Sequence, residues 1–193
     1  MRFPCRFARE HARARDSRRL VGVLALVFWT IHAANHVFFR HSAYDLLWTC
    51  NVATPLLAVG AFLSNARLCA IALCWLAYGT PIWIVDLLTG AGMIPTSLLT
   101  HFGGLALAII AVRKVGFPKW TWLWAVGASL VLVVLARILT SADHNVMLAH
   151  RVHDGWEKYF SSHPSYLVLM IGGSAVVFFV VETVTRRFDY RPR

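Results

Sequence analysis

His32 and His36 stand four residues apart near the end of an apolar run, Leu20 to Phe39. On a helix that spacing sets both rings on one face, one above the other. Neutral imidazoles at this spacing are a metal-ligand pattern, so a divalent metal held by His32 and His36 is one chemistry to expect. Asp86, His101, His144, His150 and His153 supply further candidate ligands. The second chemistry is nucleophilic. A thiol in apolar surroundings is inert unless a neighbour stabilises its thiolate. A histidine at hydrogen-bond distance does that and then protonates the leaving group. Cys50 is the candidate nucleophile and His101 its candidate base. Asn51, Thr49 or a backbone amide could steady an oxyanion, and Asn145 or Asp143 could orient the imidazole. Asp86, Arg137, Arg151 and Trp83 complete the set as candidate substrate-binding residues.

Each residue alone has a plainer reading. A single intramembrane histidine can be a hydrogen-bonded packing residue. Asp86 could pair with Arg137, and Cys50 could be a small buried hydrophobe. Ser97, His101 and Gly104 could be a small-residue packing face. The segment from Asp143 to Trp156 could be a connector lying on the surface. The argument for a site is that five apolar stretches each place a polar or nucleophilic group in the same half of their length. Ionisable groups in hydrocarbon are costly and need partners or a function.

The elements that must position these groups are apolar helices. The chain has 193 residues, 58% of them hydrophobic, with a mean hydropathy of +0.59. Soluble domains hold about 45–50% apolar residues, and runs of about 20 are the mark of membrane spans. The pattern predicts an all-α, polytopic membrane bundle of about six spans: 20–39, 46–63, 68–88, 96–112, 120–139 and 166–184. Pro81 is the expected kink of the third span. Trp120, Trp122 and Trp124 read as an interfacial belt. Residues 140–165 form the one long loop. No internal repeat or low-complexity linker divides this domain.

Net charge is +10, with seven arginines among the first nineteen residues. Ahead of a span, such an arm is an orientation signal and a contact for anionic lipid rather than a nucleic-acid tail. Residues 1–19 are therefore expected to form a basic arm, 20–185 the membrane domain, and 186–193 a basic tail. The arm's length and the absence of a small-x-small site argue against a cleaved secretory signal. Six spans put fifteen basic residues on the side of the termini, against Arg40, Arg151 and Lys158 on the other. Both termini are thus expected in the cytoplasm and the long loop outside. Cys5, Cys50, Cys69 and Cys74 form no CxxC pair and no disulfide framework.

The stretch Leu46-Leu47-Trp48-Thr49-Cys50-Asn51 resembles the Leu-Pro-Leu-His-Leu-Cys span opening of the YwaF-type bacterial integral membrane proteins. Ala77-Tyr78-Gly79-Thr80 and Leu87-Leu88-Thr89 resemble that family's Gly-rich third span and its ending. Thr100-His101-Phe102-Gly103-Gly104-Leu105 resembles its Ala-His-Gly segment, and Asn145-Val146-Met147-Leu148 with Arg151 its Asn-Tyr-Met-Phe-Leu loop. The resemblance covers roughly residues 43–185. Trp48 stands where the family has a histidine, the proline is missing, and one N-terminal span is absent. The family is similar to the eukaryotic ether-phospholipid acyltransferases and, more distantly, to the androgen-induced-gene lipid hydrolases. The resemblance implies Cys50 as nucleophile and His101 as its partner, and a bacterial inner (plasma) membrane as the location. The expected function is acyl transfer or hydrolysis on a membrane lipid. Non-catalytic lipid or metal binding is the alternative, and no nucleic-acid partner is expected.

Overall fold

The computed structural model describes residues 4–89 and 92–188, with the side chains of 15–89 and 92–188. Helix α1 is Pro4–Ala34, continued by a π-helical turn, Asn35–Phe39. A 3-10 turn at Ala43–Leu47 leads to α2, Thr49–Phe62, and then α3, Ala66–Leu88. A second π turn, Leu99–Gly103, runs into α4, Gly104–Val115. Helices α5, Thr121–Leu139, and α6, His163–Phe188, are joined by a loop holding two 3-10 turns. Among the described residues there is no strand. The fold is all-α.

Four helical stretches are long and apolar enough to cross a membrane: Arg15–Phe39, α3, α5 and α6. These stretches match four of the six expected spans, and the shorter helices α2 and α4 stand at the second and fourth. Helix α2 has 14 residues, which is about 21 Å of helix against a hydrocarbon layer of about 30 Å. Its expected start at Leu46 moves to Thr49, because Trp48 takes an extended ψ of 138° and ends the preceding 3-10 turn. Helix α4 continues the π turn ahead of it, and the chain is helical without a break over residues 97–115, close to the expected fourth span. At the other end of the chain, α6 starts three residues before Tyr166, the first residue of the expected sixth span. The basic arm is not a separate segment: from Pro4 onward its backbone is one helix with the first span. Cys5 and residues 189–193 of the expected tail lie outside the described side chains.

Helix α3 is the hub. It packs against α2, α4, α5 and α6, while α1 packs on α2 and α4. Its stretch Cys69–Leu76 is buried throughout. Close packing of α2 on α3 depends on Gly60, where a Cβ would stand 2.9 Å from the backbone nitrogen and Sγ of Cys69. Trp75 donates its indole N–H to the Ala125 carbonyl at 3.1 Å, which ties α3 to α5. Both Pro55 and Pro81 are carried inside continuous helices. The outward faces are apolar. Val131, Val134 and Ile138 on α5, and Val168, Val176 and Phe179 on α6, are all more than half exposed. Apolar exposure on this scale is a mark of a surface that meets membrane or a partner. With the four long apolar helices it makes this a membrane protein.

Glu182 is buried on α6 and solves a problem at the start of α5. Helix N-termini leave backbone N–H groups without partners. The two Glu182 carboxylate oxygens accept hydrogen bonds from the Trp120 and Trp122 N–H groups at 2.9 and 3.1 Å. Arg186, one turn on, lies 3.6 Å from the same carboxylate. A negative group at this end also suits the helix dipole.

Candidate functional site

At the end of the bundle nearest the long loop lies a cavity of about 410 Å³. Its polar end is lined by His32, His36, Asp45, Cys50, Asn51, Asp86, Ser97 and His101. Its apolar part runs between α3, α5 and α6, along Tyr78, Ile82, Val133, Leu167, Met170, Ile171 and Phe178. From Leu167 to Phe178 the helical rise is about 16 Å. The cavity is therefore polar at one end and apolar along a slot that reaches toward the middle of the bundle. Six elements bring these groups together: α1, the first π turn, the 3-10 turn, α2, α3 and the second π turn, with Ser97 just ahead of the last.

Two of those elements are the π-helical turns. His36 sits within Asn35–Phe39 and His101 within Leu99–Gly103. Such turns are rare, and they occur frequently at functional sites. The wider turn shifts the face on which later residues fall. Gly104 accordingly packs toward Thr54 and Leu76, while Ser97 and His101 line the cavity.

The histidines have distinct surroundings. The His32 and His36 rings meet edge to face with centroids 4.5 Å apart. His32 Nδ1 hydrogen-bonds the Thr96 hydroxyl at 3.0 Å, and the Asn51 carboxamide approaches the same ring. His36 Nδ1 lies 2.8 Å from the Ser42 hydroxyl and 3.5 Å from an Asp45 carboxylate oxygen. His101 is stacked on Trp83, with ring centroids 4.5 Å apart and planes 9° from parallel. His101 Nδ1 is buried without any hydrogen-bond partner. Buried polar atoms in that state are uncommon, and a functional role is one of the reasons they persist.

Among the described residues no group of three or more His, Cys, Asp or Glu side chains is arranged to hold a metal ion. His32 and His36 each direct Nδ1 to a hydroxyl rather than to a shared point, and a zinc centre draws on at least three protein ligands. The pair fits a hydrogen-bond network better than a metal centre.

Cys50 is the second residue of α2 and lines the cavity beside Asn51. Its closest hydrogen-bond partner is the Asn51 carboxamide oxygen, 4.0 Å from Sγ. Thiol and His101 imidazole share the cavity without a hydrogen bond between them. The Asn51 Nδ2 donates to the Asp45 carbonyl at 2.9 Å, so half of its donor capacity is spent on the local turn. The Thr49 N–H, a candidate oxyanion donor, is turned to Met147 Sδ at 3.3 Å.

Three of the residues expected at the site stand elsewhere. Arg137 does not pair with Asp86. Its guanidinium donates to the Ala149 carbonyl at 2.6 Å and holds the loop. Asn145 is buried and closes the same loop: its Oδ1 accepts from the His150 and Arg151 N–H groups, and its Nδ2 donates to the Arg151 carbonyl. Arg151 is exposed and pairs with Asp154. That pairing holds the Asp154 carboxyl below its ordinary value and the guanidinium above its own, in each case chiefly through the hydrogen bond.

The loop reaches the cavity through apolar residues instead. Met147 and Leu148 line it, although both take positive φ values, 57° and 55°. Non-glycine residues in that region are strained and persist only where the surroundings fix them. Here the fixing groups are Arg137, Asn145, Thr49 and His163, whose Nε2 lies 2.8 Å from the Leu148 carbonyl. Asp45, Thr96, Tyr78 and Met147 are site residues that the sequence alone does not single out. Asp45 had a visible signal, an acidic residue nine positions after an intramembrane histidine; Met147 had none.

No family model, curated protein or solved structure matches this chain.

Proposed function

We propose that this is an integral membrane protein that takes one amphiphile into the cavity, with an alkyl or acyl chain in the slot between α3, α5 and α6 and the polar head against the histidines. The observation that carries this is the segregation of the lining. The ionisable groups sit at one end, and a slot of about 16 Å runs from it in which the hydroxyls of Tyr78, Ser129 and Ser174 are turned to backbone carbonyls, which is the form of a single-chain lipid. The distribution of basic residues supports both termini in the cytoplasm and the cavity in the outer half of the membrane. With the short helices α2 and α4 crossing as well, the bundle has six spans.

The test is a photoreactive single-chain lipid given to protein in an uncharged detergent, with crosslinks mapped by peptide mass. Crosslinks are expected at Tyr78, Ile82 and residues 167–178. Ser174 is buried at the slot wall, so Ser174→Phe should fill it and remove them. Crosslinks confined to outward residues such as Val131 and Val168, unaffected by Ser174→Phe, would overturn the reading.

One observation favours a catalytic version, acyl transfer or hydrolysis. Cys50 lines the same cavity as His101, and its sulfur belongs to the first turn of α2, where the helix dipole favours negative charge. The resemblance to the YwaF-type family selects the same two residues.

A further inference from the structure

The polar end of the cavity has no positive side chain among the described residues. No lysine or arginine lines any part of it, while two carboxylates do, Asp45 and Asp86. Asp45 is engaged by His36 at 3.5 Å. Asp86 is different: among the described residues its carboxylate makes no hydrogen bond and no salt bridge, and His153 of the loop is the cationic group that comes near it. An intramembrane carboxylate normally pairs or faces a functional pathway. A phosphate or carboxylate head would meet like charge here and find no cation to bind it.

A second feature points the same way. Asp86 follows Trp83 by three residues, so the two share a face of α3. Trp83 in turn lies flat on His101, so the indole and the carboxylate of α3 line the cavity beside the second π turn. His101 is only 4% exposed. A carboxylate and an indole ring on one helix face are complementary to one kind of head group. An ammonium has three N–H donors and is attracted to aromatic faces.

We propose that the head group taken by this cavity is a primary amine in its ammonium form, carried on a single long alkyl chain, with Asp86 as its counter-ion and Trp83 as its aromatic contact. This rests on the amphiphile reading above and names the ligand class for that site. Asp86 compensates the charge and accepts an N–H. The slot beyond Tyr78 takes the chain.

The experiment compares four single-chain probes of equal chain length on full-length protein in an uncharged detergent: a primary alkylamine, an alkyltrimethylammonium, a monoacylglycerol and a fatty acid. Each competes against the photoreactive lipid. The primary amine should compete best. Asp86→Asn should weaken it by about tenfold to a hundredfold, the usual effect of losing a hydrogen bond to a charged group, and leave the monoacylglycerol unchanged. The trimethylammonium probe should fall between the two, since it carries charge but no N–H. Equal or tighter binding of the monoacylglycerol or fatty acid would overturn the amine assignment and leave the amphiphile site standing. Amine preference that survives Asp86→Asn would overturn the assignment of its counter-ion. Binding of the amine that survives Ser174→Phe is partition into the micelle and also counts against the proposal. If no probe competes, the amphiphile reading falls with it.

Discussion

The Trp83 indole covers one face of the His101 imidazole, with centroids 4.5 Å apart and planes 9° from parallel. The stack joins α3 to the π turn that carries His101, and it fixes the ring while leaving Nδ1 unpaired. Structural and chemical roles of this histidine can therefore be separated. His101→Phe keeps an aromatic partner for Trp83 and removes the nitrogen. Its thermal unfolding in detergent should stay close to wild type, while crosslinking of the lipid probe falls. Trp83→Leu should do the reverse to stability, lowering it by about 0.5–1.5 kcal/mol beyond the area lost. A His101→Phe variant that binds the probe as wild type does would return this residue to packing alone.

Glu182 and the start of α5 offer a test of the fold itself. Glu182→Ala leaves the Trp120 and Trp122 N–H groups without their acceptors, at about 1–3 kcal/mol for each buried group so orphaned. Glu182→Gln retains one carboxamide oxygen and should lose less. Thermal unfolding of the two variants in the same detergent gives the ranking. Equal melting of Glu182→Ala and wild type would show that water replaces the carboxylate at this end of the bundle.

The helical class was legible in the sequence because runs of about 20 apolar residues seldom occur outside membrane spans. His32, Cys50, Asp86 and His101 were legible as neighbours for a related reason: polar groups among apolar ones stand out, and antiparallel helices bring equal depths together. The two π turns were not legible, since nothing in Asn35–Phe39 or Leu99–Gly103 distinguishes a wide turn from an ordinary one. The start of α2 follows from the extended backbone at Trp48, which the residue types around it do not announce. Asn145 and Arg137 stood out as polar residues, but their partners are backbone carbonyls and amides of the loop. Side-chain identity carries no information about such partners. The role of Glu182 was not legible, because it depends on where α5 begins.

The loop gives a pH prediction with a definite sign. Asp154's carboxyl is lowered by Arg151, so the pair contributes fully above the ordinary Asp value of about 3.9 and is lost as pH falls through the lowered folded value. Both groups are exposed, so the effect is local. Between neutral pH and pH 5 the rate of proteolytic nicking within residues 150–162 should not change. Asp154→Asn should leave the overall melting temperature unmoved. A melting temperature that drops with Asp154→Asn would mean the pair anchors the bundle.

Asn145 should matter more than Arg151. Asn145→Ala removes three hydrogen bonds that hold Met147 and Leu148 in strained positions at the cavity roof. Lipid crosslinking should fall, and the loop should become more sensitive to protease. Arg151→Ala deletes a side chain that points away from the cavity and should be silent in both assays. Equal effects of the two substitutions would mean that the loop acts through its surface and not through its hold on Met147.

The last prediction concerns Cys50 and its dependence on His101. Cys50 is partly exposed, whereas Cys69 and Cys74 are fully buried. Faster haloacetamide labelling of Cys50 is therefore expected from access alone and decides nothing. The informative quantity is the change in its labelling rate when His101 is altered. No hydrogen bond joins the two side chains, yet both line the cavity, and catalytic contacts often tighten only when substrate is bound. If the imidazole takes the thiol proton, His101→Phe should slow Cys50 labelling by an electrophile on a single alkyl chain, while Trp83 keeps its partner. Loss of a general base typically lowers such rates by about 10²–10⁴-fold. Labelling by a small water-soluble haloacetamide should change less, because it does not draw the two groups together. Cys50→Ser should abolish both labels. Gly79→Ala supplies an independent check: a Cβ there would stand 3.3 Å from the Cys50 Cβ and shift the thiol without touching His101. Rates resolved by peptide mass, with equal response of both electrophiles to His101→Phe or no response at all, would leave Cys50 as a wall residue of a binding cavity.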